Sequence, residues 1–311
     1  MAENIKSNWT SADIPSQKGR SVVITGTGGI GYETALAMTR ARAEVIMAGR
    51  NKDKGDEAIN RIKQLIPVGH IRFEKLDLAD LASIEAFGER MRAQRKSLDI
   101  LINNAAVMNP PLRKVTKDGF ELQMGTNYLG HFALTAQLLP ILQKGNKPRV
   151  VTLSSIAHLQ GTVNFDDLQS EHSYKPMVSY SQSKLACLMF AFELQRRSDA
   201  AGWGISSMGA HPGISRTELI PNGAGKNSPA GIARRLFGPI LFQPAAHGAW
   251  PSLYAGTAKE AKGGTYYGPS RMNEMRGYPT VAKIAPQAKD AEVAAKLWEV
   301  SEKLTNVKFE G

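Results

Sequence analysis

Short apolar runs alternate with longer helical stretches over most of this 311-residue chain, from Ser21 to about Ala210. The runs occupy residues 22–25, 45–47, 71–73, 100–102, 150–153 and 205–208. Between the runs, apolar residues recur at helical intervals, for example over 32–38, 58–66 and 84–91. Continuous apolar strands separated by helices are typical of a parallel sheet with helices on both faces. With right-handed crossovers, the pattern predicts an α/β fold with one doubly wound parallel sheet.

The remainder of the chain extends this pattern without a second domain. A late run at 265–267 predicts a further strand, and the last clear helix runs from about 291 to 304. Residues 222–243 break the rhythm and are rich in Gly, Ala, Pro, Arg and Leu. We therefore predict one domain over 1–311, with an excursion at about 220–245. This excursion is either a lid over the ligand crevice or an inert surface loop.

The composition is that of a folded protein with a basic surface. Apolar residues make up 42% and charged residues 22% of the chain, which excludes wholesale disorder. The single cysteine, Cys187, excludes an intrachain disulfide framework, and no two histidines have metal-ligand spacing, so no metal site is predicted. The net charge of +11 favours anionic ligands. The densest basic patch, at 89–96, lacks the interleaved aromatic side chains of a nucleic-acid site.

The sequence shows neither a membrane-spanning segment nor a secretory signal. No run is long and apolar enough to cross a bilayer. Residues 1–20 have no hydrophobic core segment. We therefore expect a cytoplasmic protein with no integral membrane segment and no nucleic-acid partner.

A glycine-rich loop lies directly after the first predicted strand. The loop has the sequence Gly26-Thr27-Gly28-Gly29-Ile30-Gly31, which fits G-x-G-x-x-G and opens a helix. Glycine lets the backbone turn tightly and approach a pyrophosphate, and the helix N-terminus offers free N–H groups. The motif alone is weak evidence. Its place between a strand and a helix indicates a dinucleotide site in a Rossmann-type fold.

The end of the second predicted strand indicates which dinucleotide would bind. An NAD site usually has an acidic side chain there for the ribose 2′-hydroxyl, and none is present. Arg50, followed by Asn51, is instead suited to charge-assisted hydrogen bonds with a 2′-phosphate. The hypothesis is an NADP(H) cofactor. The alternative is that Arg50 is a surface side chain that caps a helix or forms a salt bridge.

One tyrosine–lysine pair has the spacing of a helix turn. Of eight tyrosines, only Tyr180 has a lysine four residues later, Lys184, which places both on one helix face. Ser155 follows the fifth predicted strand, at the sheet edge where ligands bind. Free tyrosine has a pKa of about 10, and a neighbouring ammonium stabilises its charged form. The three residues predict acid–base chemistry at a carbonyl, with the phenol as proton donor and the serine as hydrogen-bond donor.

Taken in order, these motifs resemble the short-chain dehydrogenase/reductase family over about residues 22–219. The resemblance implies the catalytic residues Ser155, Tyr180, Lys184 and Asn127, the last of which matches the asparagine of the family's proton relay. It implies a cofactor site formed by Gly26, Thr27, Gly28, Gly29, Ile30, Gly31, Arg50, Asn51, Asp77, Leu78, Asn104, Ala105, Tyr180, Lys184, Pro212, Gly213, Ile214 and Thr217. In that site Asp77 would contact the adenine, and Pro212 to Thr217 would hold the nicotinamide carboxamide.

The resemblance is greatest to one branch of the family and has two departures. The segments DGFELQMGTNYLGHFALT and YSQSKLACLMF are most similar to the retinol dehydrogenase and protochlorophyllide reductase-like branch, whose substrates are often bulky and apolar. The glycine loop is one residue shorter than the family pattern T-G-x-x-x-G-x-G, which would alter its phosphate grip or cofactor preference. In addition, Ala106 replaces a family glycine.

The resemblance implies an NADPH-dependent carbonyl reductase or alcohol dehydrogenase that acts on an apolar ketone or aldehyde. A non-catalytic dinucleotide-sensing protein on the same scaffold is the alternative, favoured only by the short loop. A third interpretation is a reductase that docks on a membrane surface through its charge and the apolar-basic segment 233–237. The family often pairs subunits through the helix that carries Tyr180, which implies a possible homo-oligomer, although the long stretch 156–179 would obstruct that surface.

Overall fold

The computed structural model describes residues 8–215 and 243–310. Eight strands lie in these residues: β1 (Ser21–Thr25), β2 (Glu44–Gly49), β3 (Ile71–Lys75), β4 (Ile100–Asn103), β5 (Arg149–Leu153), β6 (Ser206–Ala210), β7 (Tyr266–Arg271) and β8 (Arg276–Val281). They form one sheet in the order β3-β2-β1-β4-β5-β6-β7-β8. All neighbours are parallel except β7 and β8. The predicted doubly wound α/β sheet is confirmed.

Helices cover both faces of the sheet. They are α1 (Gly29–Arg40), α2 (Lys52–Leu65), α3 (Leu81–Gln94), α4 (Gly130–Leu142), α5 (Pro176–Ala201), α6 (Ala245–Gly248), α7 (Trp250–Thr257) and α8 (Ala291–Thr305). One core contains buried side chains of α3, α4, α5 and α8, and the other contains those of α1, α2 and α7. The central strands are buried along their whole length, which is why they appear in the sequence as unbroken apolar runs.

The antiparallel edge strand β8 was not predicted. Its sequence includes Gly277 and Pro279, and its side chains are mostly half-buried, so it carries no apolar run. Proline is tolerated at a sheet edge, where its missing N–H removes no ladder hydrogen bond. Pairing with β7, in the register Gly268↔Thr280, defines the strand. The sheet is therefore parallel over seven strands and antiparallel at one edge.

The strand order locates a ligand crevice. β1 pairs with β2 on one side and with β4 on the other, so the connections leave the two halves of the sheet in opposite directions. Open α/β sheets bind ligands at the carboxyl ends of the strands at such a switch point. The lid expected at 220–245, the docking segment 233–237 and Thr217 lie largely or wholly outside the described residues.

Helix α8 covers part of the helix that carries Tyr180. Trp298 of α8 stacks on Phe190 of α5 with ring centroids 5.7 Å apart, and Phe309 packs against both rings. This surface of α5 is thus covered within the chain itself. The homo-oligomer, like the single-domain organisation, stays a prediction.

Candidate active site

A cavity of about 510 Å³ lies at the carboxyl ends of the strands. The predicted site residues that line it are Gly26, Thr27, Gly28, Gly29, Ile30, Arg50, Asn51, Asp77, Leu78, Asn104, Ala105, Tyr180, Lys184 and Pro212. Residues separated by up to 186 positions in sequence therefore meet in one crevice. Gly31, Asn127, Ser155 and Gly213 lie next to lining residues in the chain, and Ile214 lies two residues from Pro212, but none of these five lines the cavity.

The shortened glycine loop still forms a close-packed turn beneath a helix N-terminus. Gly26 has φ 93° and Gly29 has φ 52°, values that favour glycine. A Cβ at Gly31 would lie 2.5 Å from the carbonyl oxygen of Gly26 and 2.8 Å from Nδ2 of Asn104, so only glycine fits. A Cβ at Gly28 would instead enter open space. The first N–H groups of α1 lack partners within the helix, as an anion-binding terminus requires.

Thr25 joins this loop to the end of β4. Its Oγ1 accepts hydrogen bonds from the backbone N–H groups of Asn104 (2.8 Å) and Ala105 (2.9 Å). Asn104 Nδ2 donates to the carbonyl oxygen of Thr25 at 2.7 Å. The two strand ends that flank the crevice are therefore locked together before any ligand binds.

His131, which was not among the predicted site residues, extends this network to α4. Its Nδ1 lies 2.9 Å from the carbonyl oxygen of Asn127, and its Nε2 lies 2.9 Å from Oγ1 of Thr25. Because the carbonyl oxygen of Asn127 can only accept, Nδ1 carries the proton and the neutral ring is the Nδ1–H tautomer. Its Nε2 then accepts a hydrogen bond from Oγ1 of Thr25. Complete burial lowers the pKa of His131 from 6.5 to about 4. The signal in the sequence was a lone imidazole within an almost wholly apolar helix.

The burial of His131 predicts a pH-dependent stability. Between pH 6.5 and about 4 the unfolded chain protonates this ring and the folded chain does not, so the free energy of unfolding falls as the pH is lowered. Over this pH range the free energy of unfolding should fall by about 3 kcal/mol because of His131 alone. Urea unfolding of wild type and His131→Gln at pH 4 to 7 should show a shallower pH dependence in the variant. The exposed His172→Gln should follow wild type, and an equal slope in all three proteins would contradict the assignment.

Tyr180 and Lys184 lie side by side on α5, as predicted from their spacing. Only 6% of Tyr180 and 3% of Lys184 is exposed, and both line the cavity. The Lys184 ammonium lies 5.9 Å from the centroid of the Tyr180 ring. It donates a hydrogen bond to the carbonyl oxygen of Leu153, the last residue of β5, at 3.0 Å. The amine is therefore held by the sheet at a position near the Tyr180 ring.

Ser155 begins a 3₁₀ turn directly after β5. Its Oγ accepts from the backbone N–H of Ala157 at 3.2 Å, which leaves the hydroxyl proton available to a ligand. Its carbonyl oxygen accepts from Nδ1 of His158 at 2.7 Å and from the hydroxyl of Tyr266 at 3.4 Å. These contacts fix the backbone of the serine. Ser154, which was not predicted, lines the cavity and donates from Oγ to the carbonyl oxygen of Lys184 at 2.6 Å.

Asn127 lies in a π-helical segment, Met124–Leu129, that leads into α4. Its side chain accepts from the backbone N–H of Val107 at 2.7 Å and donates to the carbonyl oxygen of Val107 at 2.9 Å. It also donates to Oγ of Ser183 at 3.0 Å. The backbone carbonyl oxygen of Asn127 accepts hydrogen bonds from Nδ1 of His131 and Sγ of Cys187. Asn127 thus braces the loop after β4 against α5, and its relay role stays a prediction.

The outer end of the cavity is basic. Arg50, Lys54 and Arg61 line the cavity, and its lining also includes the carboxylates of Glu57 and Asp77. Arg50 is exposed, and no side chain of residues 8–215 or 243–310 pairs with it. Asn51 caps α2 through a hydrogen bond from Lys54 N to its Oδ1 at 2.9 Å. Within the described residues, the capping and salt-bridge roles considered for Arg50 are not observed, and the capping role belongs to Asn51.

Thr126 presents an unsatisfied polar atom to the cavity. The residue lines the cavity and is 9% exposed. Its Oγ1 is buried and has no hydrogen-bond partner among the described residues. Buried hydroxyls normally have a partner, because leaving one unpaired costs about 1–3 kcal/mol. This hydroxyl and the open space above Gly28 both fit a polar ligand in the crevice.

The described residues contain neither a metal-ligand cluster nor a helix that could span a membrane. Over 8–215 and 243–310, no group of three or more His, Cys, Asp or Glu side chains is arranged to hold a metal ion. In the same ranges no helix has the length and apolarity to cross a membrane.

Known proteins resemble this chain along nearly its whole length. The family model described as short chain dehydrogenase matches residues 20–224. A polyprenol dehydrogenase of Mus musculus is 36% identical, over 98% of this chain and 89% of that protein. Retinol dehydrogenase 12 of Mus musculus is 39% identical, over 97% of this chain and 90% of that protein. A solved structure of an uncharacterized protein from Mycobacterium Paratuberculosis is 40% identical, covers 98% of this chain and 100% of its own, and superposes with a TM-score of 0.81.

Proposed function

The chain belongs to the short-chain dehydrogenase family, a family of oxidoreductases, and we propose that it is NADPH-dependent. In this proposal a hydride moves between the nicotinamide and the carbonyl or alcohol carbon of an apolar substrate. The observation that carries the proposal is the presence of Tyr180 and Lys184 in the same cavity as the glycine turn. A proton-transfer pair and an anion-binding helix terminus in one crevice are what carbonyl reduction requires.

Different lining residues of the crevice would contact different parts of the dinucleotide. The glycine turn would hold the pyrophosphate at the N-terminus of α1. Asp77 and Leu78 would flank the adenine, and Asn104 and Ala105 would lie along the middle of the site. Lys184 and Pro212 line the far end, where the nicotinamide would lie. When bound there, the cofactor supplies or accepts the hydride.

The residues of the chain supply the remaining chemistry. Reduction of a carbonyl places negative charge on its oxygen, and the Tyr180 hydroxyl donates a proton to that oxygen. The Lys184 ammonium stabilises the phenolate that remains. Ser155 donates a hydrogen bond to the same oxygen. In the direction of alcohol oxidation, the phenolate removes the hydroxyl proton.

A bulky apolar alcohol or its carbonyl product is the favoured substrate class. Two relatives at 36% and 39% identity are named polyprenol dehydrogenase and retinol dehydrogenase 12. Val107 and Leu153 contribute apolar surface to the lining. A panel of retinoid and polyprenol alcohols with NADP⁺, and of the corresponding aldehydes with NADPH, tests the assignment. Turnover of at least one pair supports it, whereas NADPH binding without any turnover would support the dinucleotide-sensing alternative.

Arg50 is expected to determine the preference for NADPH. Its guanidinium has no partner among the described residues and lies with Lys54 and Arg61 at the adenosine end. In Arg50→Asp, the Kd of NADPH should rise about 10- to 100-fold, since a hydrogen bond to a charged group contributes about 1.5–3 kcal/mol. The Kd of NADH should change little or fall. Lys63→Asp, on α2 and outside the cavity lining, is the control, and an unchanged NADPH preference in Arg50→Asp would contradict the assignment.

Thr126→Val should have opposite effects on stability and on cofactor binding. Removal of an unpaired buried hydroxyl should raise the free energy of unfolding of the ligand-free protein by about 1 kcal/mol. If that hydroxyl binds the cofactor, the Kd of NADPH should rise about fivefold. Thr135→Val is the matched control, because Thr135 Oγ1 already bonds His131 and Asn103 and its loss should destabilise the protein. A Thr126 variant with lower stability and unchanged affinity would overturn this interpretation.

A further inference from the structure

The hairpin between β7 and β8 ends in an unusual turn. Met272, Asn273 and Glu274 have φ of 52°, 53° and 66°, so three consecutive residues other than glycine are left-handed. Such residues are strained and persist where surrounding contacts hold them. The turn is therefore maintained by its side-chain partners, and the most buried of these is at Glu274.

Both carboxylate oxygens of Glu274 are occupied. Oε2 lies 3.2 Å from Nε2 of His211, whose side chain is fully buried. Oε1 accepts from the backbone N–H of Lys283 at 2.8 Å, and Lys283 Nζ donates to Oδ1 of Asn273 at 2.9 Å. Glu274 thus ties the hairpin turn to the segment after β8 and to the residue that follows β6. Burial raises the pKa of this carboxyl, but the hydrogen bonds from His211 and from the backbone N–H of Lys283, together with the nearby Lys283 charge, lower it overall, so the group is a carboxylate at neutral pH.

His211 connects Glu274 to the segment that lines the cavity at Pro212. Its Nδ1 accepts from the backbone N–H of Gly213 at 3.3 Å, so the proton resides on Nε2 and is donated to Glu274. The ring packs directly against the backbone of Gly268 in β7, since a Cβ at that position would overlap it. Gly213 has φ 62° and directly follows Pro212, which lines the cavity beside Tyr180 and Lys184.

The hairpin also holds this loop through its backbone. The carbonyl oxygen of Met275 accepts from the N–H of Ile214 at 2.9 Å. Gln243 Nε2 donates to the carbonyl oxygen of Pro212 at 2.7 Å, and Gln243 Oε1 accepts from the N–H of Gly277 at 3.2 Å. The hairpin and the loop after β6 are therefore one hydrogen-bonded unit, and Glu274 is the charged side chain that links them.

We propose that Glu274, through His211, is a positioning residue that sets the Pro212–Gly213 segment against the nicotinamide half of the cofactor. The inference rests on the proposed function. Glu274 does not line the cavity and touches no reacting atom, so its effect is confined to the geometry of that segment. The adenosine half of the site, formed at β1, β2 and β3, is independent of it.

The test compares two ligands in the full-length protein. NADPH occupies both halves of the site, whereas adenosine 2′,5′-bisphosphate occupies only the adenosine half. In Glu274→Ala we expect the Kd of NADPH to rise about tenfold, because a buried hydrogen bond to a charged group is lost. The Kd of adenosine 2′,5′-bisphosphate should stay within about twofold of wild type. Glu85→Ala, at an exposed carboxylate on α3, is the control and should leave both constants unchanged.

Glu274→Gln keeps the proposal testable if the alanine variant does not fold. The amide oxygen can still accept from His211, so this variant should retain NADPH affinity within about threefold. Equal weakening of both ligands in either variant would indicate a purely structural role and overturn the proposal, as would unchanged NADPH binding in Glu274→Ala. If wild type binds the bisphosphate but not NADPH, or binds neither ligand, the proposed function itself fails, which is a separate result.

Discussion

Replacement of Tyr180 by phenylalanine should lower kcat by about 10²- to 10⁴-fold, the range for removal of a general acid–base group. The change deletes one oxygen from a side chain that is 6% exposed and lines the cavity beside Lys184. The ring remains, so packing on α5 is preserved. The Kd of NADPH should stay within about threefold of wild type. Stopped-flow absorbance of NADPH with an accepted aldehyde gives the rate, and fluorescence titration gives the affinity.

Tyr278→Phe is the matched control for this experiment. Tyr278 stacks on Trp250 with ring centroids 5.5 Å apart and lies outside the cavity lining. Its loss of a hydroxyl should leave kcat and the Kd of NADPH unchanged. Turnover of Tyr180→Phe near the wild-type rate, with NADPH bound, would contradict the assignment of the proton donor.

Two glycines of the same loop should differ in how alanine affects stability, although both substitutions should weaken NADPH binding. In Gly31→Ala the new methyl group meets the carbonyl oxygen of Gly26 at 2.5 Å, a backbone atom that cannot move freely. The free energy of unfolding should fall by about 1–3 kcal/mol, and NADPH affinity should fall with it. In Gly28→Ala the methyl group meets no protein atom within 4 Å but projects where the pyrophosphate would lie. Stability should change by less than about 0.5 kcal/mol, whereas the Kd of NADPH should rise.

Thermal unfolding without ligand and titration with NADPH separate these outcomes. The pair of variants tests whether the one-residue-shorter loop is still a phosphate cradle. If Gly28→Ala binds NADPH as wild type does, the space above the loop is not the pyrophosphate site. If Gly31→Ala is as stable as wild type, the close packing of the loop against Asn104 is not required.

The sheet and the reactive pair were predictable because each depends on short-range patterns. Buried central strands must be continuously apolar, and the six earliest runs correspond to β1 to β6. Tyr180 and Lys184 are about one helix turn apart. Once this segment is predicted to be helical, both side chains must therefore lie on one face. The glycine motif was informative because it follows β1 and opens α1.

Contacts between distant segments could not be read in the same way. Strand β8 is defined by its pairing with β7, and its Gly277 and Pro279 argue against a strand when considered alone. The role of His131 was recognised only from its hydrogen bonds to distant residues. That of Thr126 was recognised only because its buried hydroxyl has no partner among the described residues. The contact between Glu274 and His211 spans 63 residues and has no local signature.

The assignment of Ser155 and Asn127 lies between these cases. Ser155 was identified by its place after the fifth predicted strand and Asn127 by resemblance to a family, and the structure shows both beside the cavity rather than lining it. Ser155 keeps a hydroxyl proton available, whereas the polar atoms of Asn127 are bonded to Val107, Ser183, His131 and Cys187. The side chain of Asn127 therefore has a bracing role in this chain in addition to any part in proton transfer.

A crystal structure of the protein with bound NADPH would show whether the cofactor and the reactive tyrosine share this cavity. We expect the pyrophosphate at the N-terminus of α1, the nicotinamide ring in contact with Tyr180, Lys184 and Pro212, and the 2′-phosphate bound by Arg50. A nicotinamide ring directed away from Tyr180, or a dinucleotide bound outside this cavity, would contradict it.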